Sequence, residues 1–282
     1  MQQALSNLQL SISRIRSIAD DVDANAIAAL ANPDIQARHQ TTLAAAIVIL
    51  SGFFESFLRE LAEATVTEIC DRAIPFGNLP DEIRVTHFRG GGAVLQNMMK
   101  QESKSHPLAL TESSDIARRL ATVNALQPPY ELIWEAFAET QGNPGPQTIG
   151  DFLRRFDVNK PLPTLASAMN TLEPSLSIRL RSFVEVRNEC AHTGGTSVIV
   201  TTSTVKDHCG LVAGVAAGMV QVLQGLLAQP PYVASPSIAS GGLASATPVV
   251  SPTTQASSGA SRVWKFLLRF LTRLLAAIRG SG

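Results

Sequence analysis

The sequence predicts an all-α protein: a bundle of four to six core helices over residues 1–228, a flexible linker over 229–261 and a basic amphipathic helix over 262–282. Aromatic residues make up only 5% of the chain while Ala and Leu abound, a composition that favours helices over strands. Long segments carry apolar residues every three or four positions, the period of a helix with one buried face. The Pro/Ser/Ala/Gly/Thr-rich stretch 229–261 holds no charged residue and cannot build a core.

In chain order, residues 3–31 read as a first helix, with Leu5, Leu8, Ile12, Ile15 and Ile18 at helical spacing and a stop near Pro33. Residues 35–73 form a long core helix that runs through Leu61, Val66 and Ile69 to the breakers Pro75 and Gly77. Residues 78–110 are mixed; Gly90-Gly91-Gly92 interrupts them, and Ala93–Lys100 is a short helix candidate. Asp115–Ala125 is helical, Pro128-Pro129 marks a start for Tyr130–Thr140, and Gly142–Pro146 is a loop. Thr148–Phe156 is a short helix that Pro161-Leu162-Pro163 would break. A helix over 176–192 follows, then β-branched Ser197–Thr201 as a short strand or extended link, and a final helix over Thr204–Leu227.

Formal charge is zero, with 23 basic and 23 acidic residues, but it is unevenly spread. Five of the basic residues (Arg262, Lys265, Arg269, Arg273, Arg279) lie in the tail, where there is no acid. The upstream chain therefore carries 18 basic against 23 acidic residues, a net charge of −5. Such a body does not coat itself with nucleic acid, so any RNA contact must be a local patch. Cys70, Cys190 and Cys209 lack paired spacing, which fits reduced thiols and a cytoplasmic setting. The N-terminus has no basic region before an apolar core, so no secretory signal is expected, and no stretch approaches 18 uninterrupted apolar residues.

The residues that point to chemistry are Arg187-Asn188-Glu189-Cys190-Ala191-His192, followed by Thr193-Gly194-Gly195. At about 100° per residue, Leu176, Leu180, Phe183, Val184 and Ala191 share one side of the 176–192 helix, with Cys190 at its edge. Arg187 falls near the centre of that side, where a buried helix normally carries Leu. An unpaired guanidinium there is costly and needs a carboxylate, a partner subunit or an anionic ligand. His192 sits on the flank, one turn after Asn188, and the glycines end the helix. One reading of Arg187 is an internal ion pair with Glu55 or Glu60; the other is a phosphate clamp.

Arg187-Asn188-x-x-x-His192, late in an all-helical chain, resembles the signature of the HEPN superfamily, an Arg and a His with four to six residues between. The stretch Leu43–Leu61, an apolar run followed by Phe54-Glu55 and then Phe57, resembles the early core helix of HEPN proteins of the RiboL-PSP kind. The resemblance covers roughly 1–228 and departs at Thr193, where relatives often have Gly. It implies a HEPN-like bundle and a metal-independent endoribonuclease, working as a homodimer whose composite site uses Arg187, Asn188 and His192. His192 would be base or acid, Arg187 the phosphate clamp and Asn188 the orienting group. It implies RNA as substrate and no cofactor, with a toxin or defence role and an antitoxin or regulatory protein as partner. The alternative within the family is a non-catalytic module that dimerises and binds a nucleotide or RNA.

Other motifs carry less. Cys190-x-His192 and His208-Cys209 fit no zinc spacing, Gly90-Gly91-Gly92 lacks the Lys and strand of a phosphate loop, and no Gly-x-Ser-x-Gly is present. His39, His87 and His106 have no companions. In the tail, residues 263–279 set Trp264, Leu267, Phe270, Leu271, Leu274 and Ile278 against Lys265, Arg269, Arg273 and Arg279. That pattern fits an anionic membrane surface, which would make the protein peripheral at the inner face of the membrane. A protein partner or the chain's own body are the other surfaces it could meet.

Overall fold

A computed structural model describes residues 1–102, 107–122, 128–138, 143–193 and 199–232, all within one compact unit, Met1–Pro236. Every regular element among the described residues is helical. The tail over 262–282 and all of the 229–261 linker beyond Tyr232 lie outside the described residues, as does His106.

Helix α3 (Pro33–Asp71) is the axis of the bundle. Its start is fixed by Asn32, whose side chain accepts the backbone N–H of Asp34 at 2.9 Å, with Pro33 at the first helical position. Apolar residues on several sides, among them Ile47, Leu50, Phe54, Leu58, Leu61 and Ile69, are fully buried. They are covered by α1 (Gln2–Ala24), α7 (Trp134–Ala138), α10 (Glu173–Thr193) and α11 (Thr202–Leu227). The predicted first helix divides at Asn25, and α2 (Ala26–Ala31) turns away with Ile27 and Leu30 exposed. Leu8, Ile12 and Ile15 pack as their spacing predicts.

α11 is capped at both ends. Thr201 accepts the backbone N–H of Thr204 at 3.1 Å, and the Arg72 guanidinium donates to the carbonyls of Leu227 (2.5 Å) and Tyr232 (2.9 Å). Tyr232 is itself buried, so the segment read from sequence as the start of the linker is anchored to the body at that residue, while Gln229, Pro230 and Pro231 are exposed. α3 and α11 are long and apolar enough to cross a membrane by length and composition, and half of each such stretch is buried within this bundle.

The middle of the chain differs most from the sequence reading. Gly90-Gly91-Gly92 does not interrupt a helix: helical structure continues from α4 (Asp81–Val85) through a π-helical turn (Thr86–Gly90) into α5 (Gly91–Glu102). A Cβ on Gly90 would lie 2.8 Å from that of Ala136, and one on Gly91 would lie 2.5 Å from Cδ1 of Ile133. Gly90 and Gly91 serve close packing against α7 and the segment before it. Helix α6 spans Pro107–Thr122. The helix expected from Tyr130 starts only at Trp134, because residues 130–133 are held by tertiary bonds instead. The Tyr130 hydroxyl donates to the carbonyl of Ile74 at 2.7 Å, and the Ile133 N–H donates to Nδ1 of His87 at 3.1 Å.

α8 spans Pro146–Arg155, close to its prediction. Pro161-Leu162-Pro163 proves to be the first turn of α9 (Pro161–Ala168), since proline suits that position. Residues 199–201 form a non-helical link; 194–198, including Gly194 and Gly195, lie outside the described residues.

Candidate functional site

α10 presents the Arg187–Asn188–His192 sequence at its C-terminal end, packed on α3, α9 and α8. Its buried face is Leu176, Leu180, Phe183 and Cys190, with Val184 half-buried. Ala191, placed on that face by the sequence reading, is exposed. The helix is turned so that Cys190, one turn after Val186, takes the inward position, and Arg187 lies half-buried at the margin rather than at the centre.

Arg187 makes no ion pair among the described residues. Neither carboxylate considered for it is its partner: Glu60 accepts from Asn7 (2.9 Å), and Glu55 accepts from Ser51 (3.4 Å). Its Nε–H is buried without an acceptor, and Nη1 donates to Oδ1 of Asn188 at 3.3 Å. The same Oδ1 accepts a shorter bond, 2.6 Å, from Nδ2 of Asn143, 45 residues earlier in the chain. Asn143 lies in the turn before α8. Its carbonyl accepts from the Gly145 N–H (2.7 Å) and from Oγ1 of Thr148 (2.9 Å). Gly145 lies against α10, where a Cβ would come within 3.4 Å of Cγ2 of Val184, one turn before Asn188.

His192 is exposed at the end of α10. It lies five helical steps after Arg187, about 7.5 Å along the axis and about 140° around it. Asn188 and His192 are only about 40° apart and share a face. The structure thus joins Arg187 to Asn188 directly, leaves His192 facing solvent, and adds Asn143, which sequence reasoning missed. An Asn in a Pro/Gly turn carries no local sign of such a role.

Among the described residues, no group of three or more His, Cys, Asp or Glu side chains is placed to hold a metal ion. His208 packs on Phe183, its ring 5.2 Å away, and burial lowers its pKa. Cys70, Cys190 and Cys209 are free thiols; burial raises the pKa of each, that of Cys209 to about 11. His87, for which the sequence offered no companion, lies within the π-helical turn and is fully buried, edge-on to Phe76, and burial holds its pKa at about 4.

A body that is all-helical among the described residues, whose penultimate long helix ends in Arg-Asn-x-x-x-His with no described carboxylate on the Arg, defines a HEPN-type helical domain. The chain belongs to the RiboL-PSP-HEPN family, whose profile matches residues 9–224, from within α1 to the last turn of α11. Neither the curated proteins nor the solved structures give a significant match.

Proposed function

We propose that the protein is a metal-independent endoribonuclease that acts as a homodimer, with Arg187, Asn188 and His192 in a composite site. The observation that carries this reading is Arg187: a half-buried guanidinium with no carboxylate partner among the described residues and with a buried, unpartnered Nε–H. A cation held in that state is stabilised by an incoming anion. A phosphodiester supplies the charge and the acceptor oxygens, and the planar fork of Arg matches them.

Strand cleavage requires a base for the ribose 2′-hydroxyl, an acid for the leaving 5′-oxygen and positive charge at the phosphorus. The 2′-oxygen bonds to phosphorus as its proton passes to one imidazole. The bond from phosphorus to the 5′-oxygen breaks as that oxygen takes a proton from another. The products are a 2′,3′-cyclic phosphate and a 5′-hydroxyl. One imidazole cannot fill both roles at once, whereas a two-fold dimer offers two. The angle of about 140° between Arg187 and His192 on one helix also favours groups converging from two facing helices.

The test is cleavage of total RNA in EDTA by the wild type beside His192→Ala. The variant should lose about 100-fold or more, as expected for removal of an acid–base group, with an unchanged far-UV circular dichroism spectrum. Full activity in the variant would remove the assignment. The net charge of −5 upstream of the tail favours a second reading, a module that binds RNA or a nucleotide without cutting. Binding without any product would select it.

A further inference from the structure

Asn188 can orient its amide in two ways, and its neighbours decide which. A guanidinium can only donate, so the atom of Asn188 that faces Nη1 of Arg187 at 3.3 Å is the oxygen. The group of Asn143 that meets that oxygen at 2.6 Å is then its amide NH2. With two donors on it, the oxygen has both lone pairs engaged. Asn188 is left with its NH2, which has no partner among the described residues.

The result is a paired set of donors: the NH2 of Asn188 beside the guanidinium of Arg187, whose Nε–H is also unused. Such a set cannot accept a hydroxyl proton, and it suits the oxygens of a phosphodiester. Asn143 is held in place independently of its side chain, by the bonds of its carbonyl to the Gly145 N–H and to Oγ1 of Thr148.

We propose that Asn143 is a positioning residue: it fixes Asn188 with its NH2 outward, making Asn188 and Arg187 a joint donor site for the phosphodiester of bound RNA. The proposal rests on the reading of the protein as acting on RNA. Its test compares Asn143→Ala, Asn143→Asp, Asn188→Ala and the double variant Asn143→Ala/Asn188→Ala in the full-length chain. Two probes of one sequence are used, a fluorescent 2′-O-methyl RNA that cannot be cut and its 2′-hydroxyl counterpart.

Each single variant should weaken binding or cleavage by about tenfold, the usual effect of one such hydrogen bond. Because Asn143 acts through Asn188, the double variant should stay within about twofold of Asn188→Ala alone. Asn143→Asp keeps the size and the backbone bonds but loses the donor, and should be at least as impaired as Asn143→Ala. Losses that multiply in the double variant, or wild-type behaviour of Asn143→Asp, overturn the proposal. So does a wild-type protein that fails to bind the uncleavable RNA. If the wild type binds that RNA with the expected coupling yet cuts nothing, the positioning role stands and the ribonuclease reading falls.

Discussion

Gly90 and Gly92 lie two residues apart in one continuous helical stretch, and replacing each with Ala should move stability in opposite directions. Ala is favoured over Gly inside a helix by about 1 kcal/mol, so both substitutions start with the same gain. At Gly92, which is exposed, a new Cβ meets nothing within 4 Å and the gain should be realised. At Gly90, the new carbon would stand 2.8 Å from Cβ and 3.3 Å from Cα of Ala136, well inside the 3.5–4.0 Å at which carbons rest. Neither atom can swing aside as the end of a flexible side chain could, so α7 as a whole must shift.

Overpacking of this kind costs about 1–3 kcal/mol, which outweighs the propensity term. The expected outcomes are stabilisation by up to about 1 kcal/mol for Gly92→Ala and a net destabilisation of up to about 2 kcal/mol for Gly90→Ala. For a domain of this size, each kcal/mol moves the melting temperature by about 2–4 °C, readily measured by far-UV circular dichroism. Gly90→Ala melting at or above the wild type would refute the close approach of α7. Gly92→Ala melting below it would refute the unbroken helix.

Two further outcomes follow from His87 and the tail. As the pH falls, the unfolded chain protonates its histidine near 6.5, while buried His87 stays neutral until about 4. Stability should therefore be unaffected by His87 above about pH 6.5 and decline below it, by about 3 kcal/mol in all by pH 4. Urea unfolding across that range should show a shallower pH dependence for His87→Gln; an unchanged one would mean another group is responsible. We also propose that residues 263–279, with their apolar face and basic flank, bind anionic bilayers. Co-sedimentation with anionic vesicles should weaken in high salt and vanish on deletion of 262–282, and a truncated chain that still pellets fully would exclude the tail as the anchor.

The sequence by itself determined the helical class and the long helices α3, α10 and α11, and it marked Arg187, Asn188 and His192 as candidates. Each is legible because helical periodicity and a six-residue signature are local properties of the chain. Tertiary structure decided what lay between and across those elements. It set Pro161 to begin a helix rather than break one, and drew residues 130–133 out of a helix through bonds to Ile74 and His87. It turned α10 so that Ala191 faces solvent and Cys190 faces the core. It also brought Asn143 from 45 residues away onto Asn188 and left Arg187 without either carboxylate that spacing alone made plausible. A side chain's partner depends on which separate segments come together when the apolar faces are buried, and no pattern within one segment contains that choice.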